Sequence, residues 1–248
     1  MVITASLLLI LSLAGHPPAL AEWEAAIRSN HTDTLRVLHH DRADVDEATD
    51  HGKTALMAAA AAGDAELVDD LLERGADPAA TNRLGGSVLM YAVSSGSAAV
   101  VERLLERSVP LDAQASNGWS AIMMAAAKDL DGLITRLAAA GANPNTSDIY
   151  GWTPLMRAIF EGHRSAVAAL LDLPEIDLDQ VSRIGQNALH LAVIAGHAEL
   201  TGELVSRNVA QVSDHLGQTP RAIARDMARD DLLTVLGDDA GGTELDIR

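Results

Sequence analysis

The chain of 248 residues contains no cysteine, which excludes disulfides, thiolate catalysis and cysteine-based zinc sites. Its net charge of −17 argues against charge-driven binding to nucleic acid or anionic lipid, and leaves two explanations open, solubility or a basic partner. Because 48% of the residues are hydrophobic but only 2% are aromatic, the composition favours a thin architecture with many small helix contacts over one large core.

The first element is an apolar segment at the N-terminus. Residues 2–14 are apolar apart from small Thr and Ser, and this run is too short to span a bilayer, which takes about 20 residues. Ala19-Leu20-Ala21 then supplies the small residues that a signal peptidase requires. The segment predicts a signal peptide over residues 1–21, cleaved before Glu22, and a periplasmic or secreted protein. Because the segment has no Lys or Arg, an uncleaved anchor and a packed N-terminal helix stay open as alternatives.

A glycine recurs along the rest of the chain with a period close to 33 residues. The residues that follow it also match: an alanine always lies seven positions later, and Leu or Ile lies four positions later in every copy but the last. Repeats of this length are typical of stacked supersecondary units. The glycines are Gly52, Gly85, Gly118, Gly151, Gly185 and Gly217.

Each repeat is predicted to begin with a turn and a short helix. The glycine indicates a turn with positive φ, and a Thr or Ser two residues later indicates an N-cap. Pro154 and Pro220 then occupy the first helical position, where a missing N–H costs nothing. The predicted caps are Thr54, Ser87, Ser120, Thr153 and Thr219.

A second, amphipathic helix follows in each full repeat. Leu67, Val68, Leu71 and Leu72 recur at helical spacing and predict one buried face. We therefore expect replacement of Leu72 or Leu105 by Ala to cost about 2–5 kcal/mol. Gly75, Gly141 and Asn208 are predicted to end their helices in the left-handed region. The second helices are predicted over residues 66–74, 99–107, 132–140, 165–172 and 199–207.

These features resemble the ankyrin-repeat family. The family motif T-P-L-H-x-A is echoed at residues 153–158 and 187–192, and the G-A-D-x-N signature at residues 75–78 and 141–145. The resemblance covers roughly residues 22–237. It implies an all-α solenoid of antiparallel helix pairs with β-hairpin-like finger loops, which stack side by side. It also implies a protein partner bound on the concave face, no cofactor and no enzymatic activity.

Five full repeats are predicted between two caps. Residues 22–48 form an N-terminal cap without a finger, in which Ala26 takes the alanine position and residues 32–40 form the second helix. Residues 215–237 form the C-terminal cap, whose polar Arg225 and neighbours suit a water-facing surface, and residues 238–248 are predicted to be disordered. The five repeats span 49–82, 83–115, 116–148, 149–182 and 183–214.

The sequence contains no catalytic or cofactor-binding motif. It lacks a nucleophile elbow, a phosphate loop and a dinucleotide fingerprint. His163, His190 and His197 occupy positions that are structural in the family. His39-His40 and the acidic tail at 238–246 are weak candidates for a metal, and a helix-end charge and a solvated tail are the favoured explanations. No metal site is predicted.

The aromatic residues are the strongest candidates for a binding surface. Trp119 and Trp152 follow the finger glycine in successive repeats, Tyr150 precedes that glycine, and Phe160 lies near the end of a first helix. The resemblance places all four on the concave side. A rigid aromatic cluster there is typical of a binding hot spot. In the alternative interpretation, which stays open, the two Trp side chains pack against the adjacent finger.

Other finger residues are weaker candidates, because any exposed turn can carry them. Trp23 and Tyr91 are instead predicted to be packing residues. The finger candidates are His51, Lys53, Arg83, Leu84, Asn117, Gln186 and Gln218.

Three functions are compatible with such a surface. The first is an exported scaffold or adaptor of a bacterial periplasm or of the cell exterior. The second is an inhibitor or immunity protein that blocks a toxin or an enzyme, and the third is a secreted effector that acts in a host cell. In each case we expect a monomer that binds a protein, with no nucleic acid and no membrane insertion after signal cleavage.

Overall fold

The computed structural model of the protein describes residues 20–38 and 44–237. Residues 1–19 of the predicted signal peptide, the His39-His40 pair and the tail lie outside the described residues. The described part forms fourteen α-helices and one isolated antiparallel bridge, between Thr81 and Ser87. The all-α fold class predicted from the sequence is confirmed.

The chain divides into two compact units, and the described residues of the first are 20–38, 44–124 and 140–142. Its described helices form three consecutive pairs. These are α1 (Leu20–Ser29) with α2 (Thr32–Leu38), α3 (Ala55–Ala62) with α4 (Ala65–Glu73), and α5 (Val88–Ser95) with α6 (Ala98–Leu105).

The described residues of the second unit are 125–139 and 143–237. The division falls within α7 (Ala121–Ala126), and α8 (Asp131–Ala139) belongs to the second unit. Three further pairs follow. These are α9 (Pro154–Glu161) with α10 (Arg164–Leu171), α11 (Ala188–Ile194) with α12 (Ala198–Ser206), and α13 (Pro220–Asp226) with α14 (Asp230–Leu236).

The turn and cap chemistry predicted for the first helices is confirmed. All six finger glycines have φ between 76° and 81°, which a Cβ would make unfavourable. The hydroxyl of each predicted cap accepts a hydrogen bond from the backbone N–H three residues later, at 3.1–3.4 Å. One cap escaped prediction: Asn187 accepts from His190 N, and the His190 ring completes a capping box.

The second helices begin one residue earlier than predicted, and one core position also differs from the prediction. In α6 the fully buried residues are Val100, Val101 and Leu104, whereas Leu105 is only half-buried. The expectation that Leu105 lies in the core is therefore wrong, while Leu72 is buried as predicted. The predicted left-handed helix ends are confirmed at Gly75, Gly141 and Asn208, with φ of 89°, 100° and 60°.

Small residues let the helices of the first unit approach closely. Residues 55–60 of α3 are all buried. Four of these six residues are Ala, and the other two are Leu56 and Met57. This helix packs against α4 of its own pair and against α1 and α5 of the neighbouring pairs. Trp23 of α1 is fully buried, as expected of a packing residue, and its indole N–H donates to Glu47 O at 3.4 Å.

The second unit repeats this arrangement with more polar ties between neighbouring pairs. First helices α9, α11 and α13 pack in sequence, and α8 packs against α10, as α12 does against α14. Arg207 donates to Leu171 O at 2.9 Å, and Arg229 donates to Gly196 O at 3.2 Å. At the C-terminal cap Arg225 is exposed as predicted, but Arg221 is half-buried and donates to Leu233 O at 3.3 Å.

Candidate functional site

Each finger is closed by the same backbone hydrogen bonds. The residue three positions before the glycine donates its N–H to the carbonyl one position after the glycine, at 2.8–3.0 Å in all six fingers. The residue just before the glycine, here termed the finger tip, lies at the end of this hairpin. The tips are His51, Leu84 and Asn117 in the first unit, and Tyr150, Ile184 and Leu216 in the second.

Neighbouring fingers within a unit are joined through the carbonyl of the tip. In the second unit Arg183 N donates to Tyr150 O and His215 N donates to Ile184 O, both at 2.9 Å. A Cβ on Gly151 would lie 2.9 Å from Arg183 N, so only glycine permits this approach. In the first unit, the matching bonds run from Arg83 N to His51 O at 3.0 Å and from Ser116 N to Leu84 O at 2.7 Å.

A buried carboxylate supports two of the fingers in the second unit. Asp148 Oδ1 accepts from the backbone N–H groups of Tyr150 and Trp152, both at 2.9 Å. Asp214 Oδ1 does the same for Leu216 and Gln218, at 2.9 Å each. The Gln218 N–H lowers the pKa of the Asp214 carboxyl, against the opposing effect of burial. These contacts fix the backbone on both sides of each tip.

Two aromatic residues of the second unit, Trp152 and Phe160, form a connected group with Arg157. Its guanidinium lies 4.6 Å above the Trp152 ring and pairs with Asp148 Oδ2 at 3.0 Å. The Trp152 and Phe160 rings meet edge to face, with centroids 5.0 Å apart. Tyr150 in the same finger is 64% exposed and Phe160 is 46% exposed. The result is an aromatic surface that is fixed from beneath and open to solvent.

Trp119 lies in the first unit, in a different environment. It lines a groove of about 330 Å³ with Leu84, Met90, Tyr91 and Asn117. Its backbone N–H donates to the Asn117 side chain at 3.1 Å. The predicted group of four aromatic residues is therefore divided, since only Trp152 and Phe160 are in direct ring contact and Tyr150 shares their unit.

Three of the weaker candidates are engaged within the protein, and one of them, Gln218, is half-buried and donates to Asp226 Oδ2 at 3.3 Å. Lys53 donates to Asn30 Oδ1 and lies 5.5 Å from the centroid of Tyr91, and burial lowers the pKa of its ammonium group. Tyr91 is half-buried with its hydroxyl bonded to Asn82, as expected of a packing residue. Gln186 is half-buried and donates to Asp214 Oδ2 at 3.4 Å.

The remaining weaker candidates lie on the surface of the fingers. Their side chains are exposed, so the structure leaves them accessible to a partner. They are His51, Arg83 and Asn117, together with the tip Leu84 at 67% exposure.

The three histidines expected to be structural have structural contacts. His190 is fully buried, and its Nε2 donates to Gln218 O at 3.1 Å, which joins α11 to the next finger. Burial lowers the pKa of His190, while the Gln218 carbonyl and Asp214 oppose that shift. His163 Nε2 donates to Ala127 O at 3.1 Å. His197 packs beside Gly162, so it too lies against a neighbouring repeat.

Sequence reasoning missed two exposed tips and the cation of the aromatic group. Ile184 is 55% exposed and Leu216 is 84% exposed. Both occupy the position just before the finger glycine, so the glycine spacing alone could have identified them. Arg157 was missed because its role depends on Asp148, nine residues earlier, and on a Trp whose ring it covers.

Neither a metal cluster nor a membrane-spanning helix is found in the described ranges. Among residues 20–38 and 44–237, no three His, Asp or Glu side chains are grouped so that they could hold a metal ion. The helices in these ranges are all too short or too polar to cross a bilayer.

Comparison with known proteins agrees with the repeat architecture. A family model described as ankyrin repeats (three copies) matches residues 23–82 and 89–182, which is more than half of the chain. The curated proteins contain no match to this sequence. Since the matched residues carry the glycine-centred fingers and paired helices described above, the chain belongs to the ankyrin-repeat family.

Proposed function

We propose that this protein binds a protein partner through the fingers and first helices of its second unit. Ankyrin repeats are generic protein–protein interaction modules and are typically not catalytic. The observation that carries the proposal is the aromatic group of Tyr150, Trp152 and Phe160, in which Tyr150 and Phe160 are exposed beside the half-buried, fixed ring of Trp152. Soluble proteins seldom leave such side chains open to water without a use for them.

The contacts beneath this surface favour tight binding. Trp152 is held between Arg157 and Phe160, and the Asp148 carboxylate fixes both the finger and the guanidinium. A side chain that is already fixed loses little rotamer freedom on association, so more of the contact energy remains as affinity. Aromatic residues and Arg are also the residues that dominate binding energy at interfaces.

The first unit supplies a second, smaller candidate surface. Trp119 and Met90 line its groove, next to the exposed Asn117 and Leu84. A thioether and an indole at the edge of an open groove suit an apolar side chain of a partner. His51 and Arg83 on the adjacent fingers extend the proposed surface, whereas Lys53 and Gln186 act mainly by supporting their fingers.

We further propose that the protein is an exported scaffold or adaptor, and a monomer. Cleavage before Glu22 would leave the buried Trp23, Ala26 and Ile27 in the mature chain, so removal of the signal peptide is compatible with the packing of α1. Expression in a bacterium followed by N-terminal sequencing of the periplasmic fraction tests export. A mature chain that begins at Glu22 is expected, and retention of Met1 in the cytoplasm would contradict this part of the proposal.

Affinity capture from the envelope fraction of the cells that encode the protein tests the binding proposal. The bait is the full chain, compared with the double variant Tyr150→Ala, Phe160→Ala. Loss of two aromatic anchors should weaken capture of the specific partner by about 100-fold or more, since hot-spot residues contribute about 2 kcal/mol each. Val37→Ala is the matched control, because Val37 is also an exposed apolar residue, at 51%, but lies on α2.

Circular dichroism and urea melts must first show that the double variant is folded. Equal recovery of the same partner by the wild type and the folded double variant would exclude this surface. Recovery that falls equally with Val37→Ala would point to non-specific hydrophobic adsorption and would also contradict the proposal.

A further inference from the structure

The three finger tips of the second unit form an exposed apolar row, defined here as Tyr150, Ile184 and Leu216. Their exposed fractions are 64%, 55% and 84%. Tips on consecutive fingers lie side by side, because the backbone carbonyls of Tyr150 and Ile184 accept hydrogen bonds from the next finger. A row of large apolar side chains on the outermost edge of a folded unit is typical of a docking surface.

The hydrogen bonds of the fingers fix the spacing of this row. Each finger contributes two extended segments, closed for example by Asp148 N to Trp152 O at 3.0 Å, and the next finger is bonded directly at its side. Neighbouring extended segments lie about 4.8 Å apart. Equivalent tips therefore recur about every 10 Å, and the row spans about 20 Å from Tyr150 to Leu216.

This spacing distinguishes between the secondary structures that a partner could present. In an α-helix, side chains seven residues apart lie on nearly the same face and are separated by about 10.5 Å. In a β-strand, the residues about 10 Å apart are three positions apart and point to opposite faces. An apolar helical stripe thus matches all three tips, whereas a strand matches only the first and third tips and turns the intervening side chain away from Ile184.

Charge at the row adds a second requirement on the partner. Arg183 is exposed and lies between the first two tips, since its N–H is bonded to Tyr150 O and Ile184 follows it. Within the described ranges, its guanidinium forms no ion pair or hydrogen bond. The carboxylates of these fingers, Asp148 and Asp214, are buried. Among the Asp, Glu, Lys and Arg side chains of these three fingers, Arg183 is therefore the exposed one, in a chain whose net charge is −17.

We propose that the apolar row binds an amphipathic α-helix of a protein partner. The helix presents apolar residues at positions i, i+7 and i+14 to Tyr150, Ile184 and Leu216, and an acidic residue at i+3 or i+4 to Arg183. Positions i+3 and i+4 lie on the same helix face as i and i+7, so one helix satisfies both the apolar and the charged contacts. The inference rests on the proposed function, and it adds the secondary structure of the partner segment that is bound.

Site-specific photo-crosslinking in the full chain tests this inference. A benzoylphenylalanine side chain replaces Tyr150, Ile184 or Leu216, one at a time, in the cells that encode the protein. The same probe at Phe160 reports the aromatic surface of the proposed function, and a probe at Arg164, which is 82% exposed on α10, measures background. Mass spectrometry then identifies the crosslinked residues of the partner.

The expected result is one partner segment with crosslinks about seven and fourteen residues apart from the three tip probes. Crosslinks two to four residues apart would indicate a strand, and crosslinks to unrelated segments would indicate no single helix; either result overturns the inference. A partner captured at Phe160 but at none of the tips overturns the inference and leaves the proposed function standing. No specific crosslink at any of the four positions overturns both.

Charge reversal provides a second test with the same partner. Arg183→Glu should weaken its binding at least tenfold at low salt, and the loss should shrink as the salt concentration rises. Arg107→Glu, the same change in the exposed turn that follows α6 in the first unit, serves as the control. Unchanged affinity in Arg183→Glu, or an equal loss in Arg107→Glu, would remove the acidic contact from the inference.

Discussion

The finger tips of the first unit are His51, Leu84 and Asn117, whereas those of the second unit are Tyr150, Ile184 and Leu216. Both units use the same glycine φ, the same hairpin bonds and the same tip carbonyl to join neighbouring fingers. Exposed apolar side chains are nevertheless concentrated in the second unit. Of the ten large exposed hydrophobic residues among those described, only Val37 and Leu84 lie in the first unit.

This difference shows how the fold separates its scaffold from its surface. The bonds that recur in the fingers use backbone groups and the residue three positions before the glycine. Among the described tips, only the Asn117 side chain joins them, by accepting from Trp119 N. A tip can therefore change from His to Tyr without loss of a structural contact. In such an architecture stability depends on the repeated positions, and specificity depends on positions that the repeat leaves free.

The largest effect on the free energy of unfolding is expected from the buried core positions, which the two units share. Leu104→Ala in the first unit and Leu170→Ala in the second should each cost about 2–5 kcal/mol, because both side chains are fully buried. Urea denaturation followed by circular dichroism measures the loss. Leu105→Ala, at the half-buried neighbour of Leu104, is the control and should cost less than Leu104→Ala.

A cost below about 1 kcal/mol for Leu104→Ala would show that the repeated core positions do not carry the stability. A cost for Leu105→Ala equal to that for Leu104→Ala would contradict the position of the buried face in α6.

The next effect concerns a support described in the second unit, the buried pair of Asp148 and Arg157. Arg157→Met removes the partner of Asp148, whose side chain is 1% exposed and would be left as a buried carboxylate. We expect a loss of about 1–3 kcal/mol, reduced from that of a fully buried pair because Arg157 is 17% exposed. Arg103→Met breaks the more exposed pair with Asp69 in the first unit and should cost about 0–1 kcal/mol.

The same urea melts decide this prediction. If the two Arg variants lose equal stability, the Asp148–Arg157 pair is an ordinary surface pair, and the aromatic group has no special support. Asp148→Asn, which keeps an acceptor for the two finger N–H groups but removes the charge, should restore part of the stability of Arg157→Met.

The parts of the fold that depend on local chemistry were predictable from the sequence. A glycine, a hydroxyl two residues later and a run of apolar residues determine the turn, the cap and the helix, and these predictions are confirmed at Thr54 and its equivalents. Leu105 was misplaced because burial differs between equivalent positions: Leu72 of α4 is buried, whereas Leu105, 33 residues later in α6, is half-buried. Local pattern, which is the same in both helices, could not resolve that difference.

The environment of an aromatic side chain was not predictable from its repeat position. Trp119 and Trp152 occupy equivalent positions, yet Trp152 is covered by Arg157 and Trp119 lines an open groove. The difference arises from residues elsewhere in the repeat. In the repeat that contains Trp152, the first helix supplies Arg157 and the finger supplies Asp148, which bind each other. In the repeat that contains Trp119, the position equivalent to Asp148 is Ala115. The tips Ile184 and Leu216 were predictable in principle, because their position relative to the glycine is fixed.

A smaller effect on stability is expected from pH. It too distinguishes the units, because it depends on His190, a fully buried histidine of the second unit. Its pKa is lowered below 6.5 by burial. Below pH 6.5 the unfolded chain therefore binds a proton that the folded chain resists, so stability is complete above this pH and falls as the solution is acidified. Urea midpoints at pH 7.5 and 5.5 measure the change.

His190→Gln is the appropriate comparison, because Gln preserves the capping box with Asn187 but does not titrate. The decrease in midpoint between pH 7.5 and 5.5 should be smaller in this variant than in the wild type. Asp214 does not confound the test, because its pKa lies below its ordinary value of 3.8, outside this window. An identical decrease in both proteins would assign the pH dependence to other groups.

The smallest effect on stability is expected at the tips themselves. Ile184→Ser and Leu216→Ser in the second unit, and Leu84→Ser in the first, should each change the free energy of unfolding by less than about 0.5 kcal/mol. The reason is that all three side chains are more than half exposed and the finger bonds use only their backbone. Urea melts of the three variants beside the wild type measure the change.

A loss of more than about 1 kcal/mol at Ile184 or Leu216, but not at Leu84, would mean that the apolar tips of the second unit are structural contacts and not a free surface. Stability and binding would then be coupled at the same residues, and loss of partner in a tip variant could not be assigned to the interface. If all three tips are neutral, any loss of binding in the second-unit variants reports contact with the partner directly, and the contrast between the two rows of tips becomes a contrast in function.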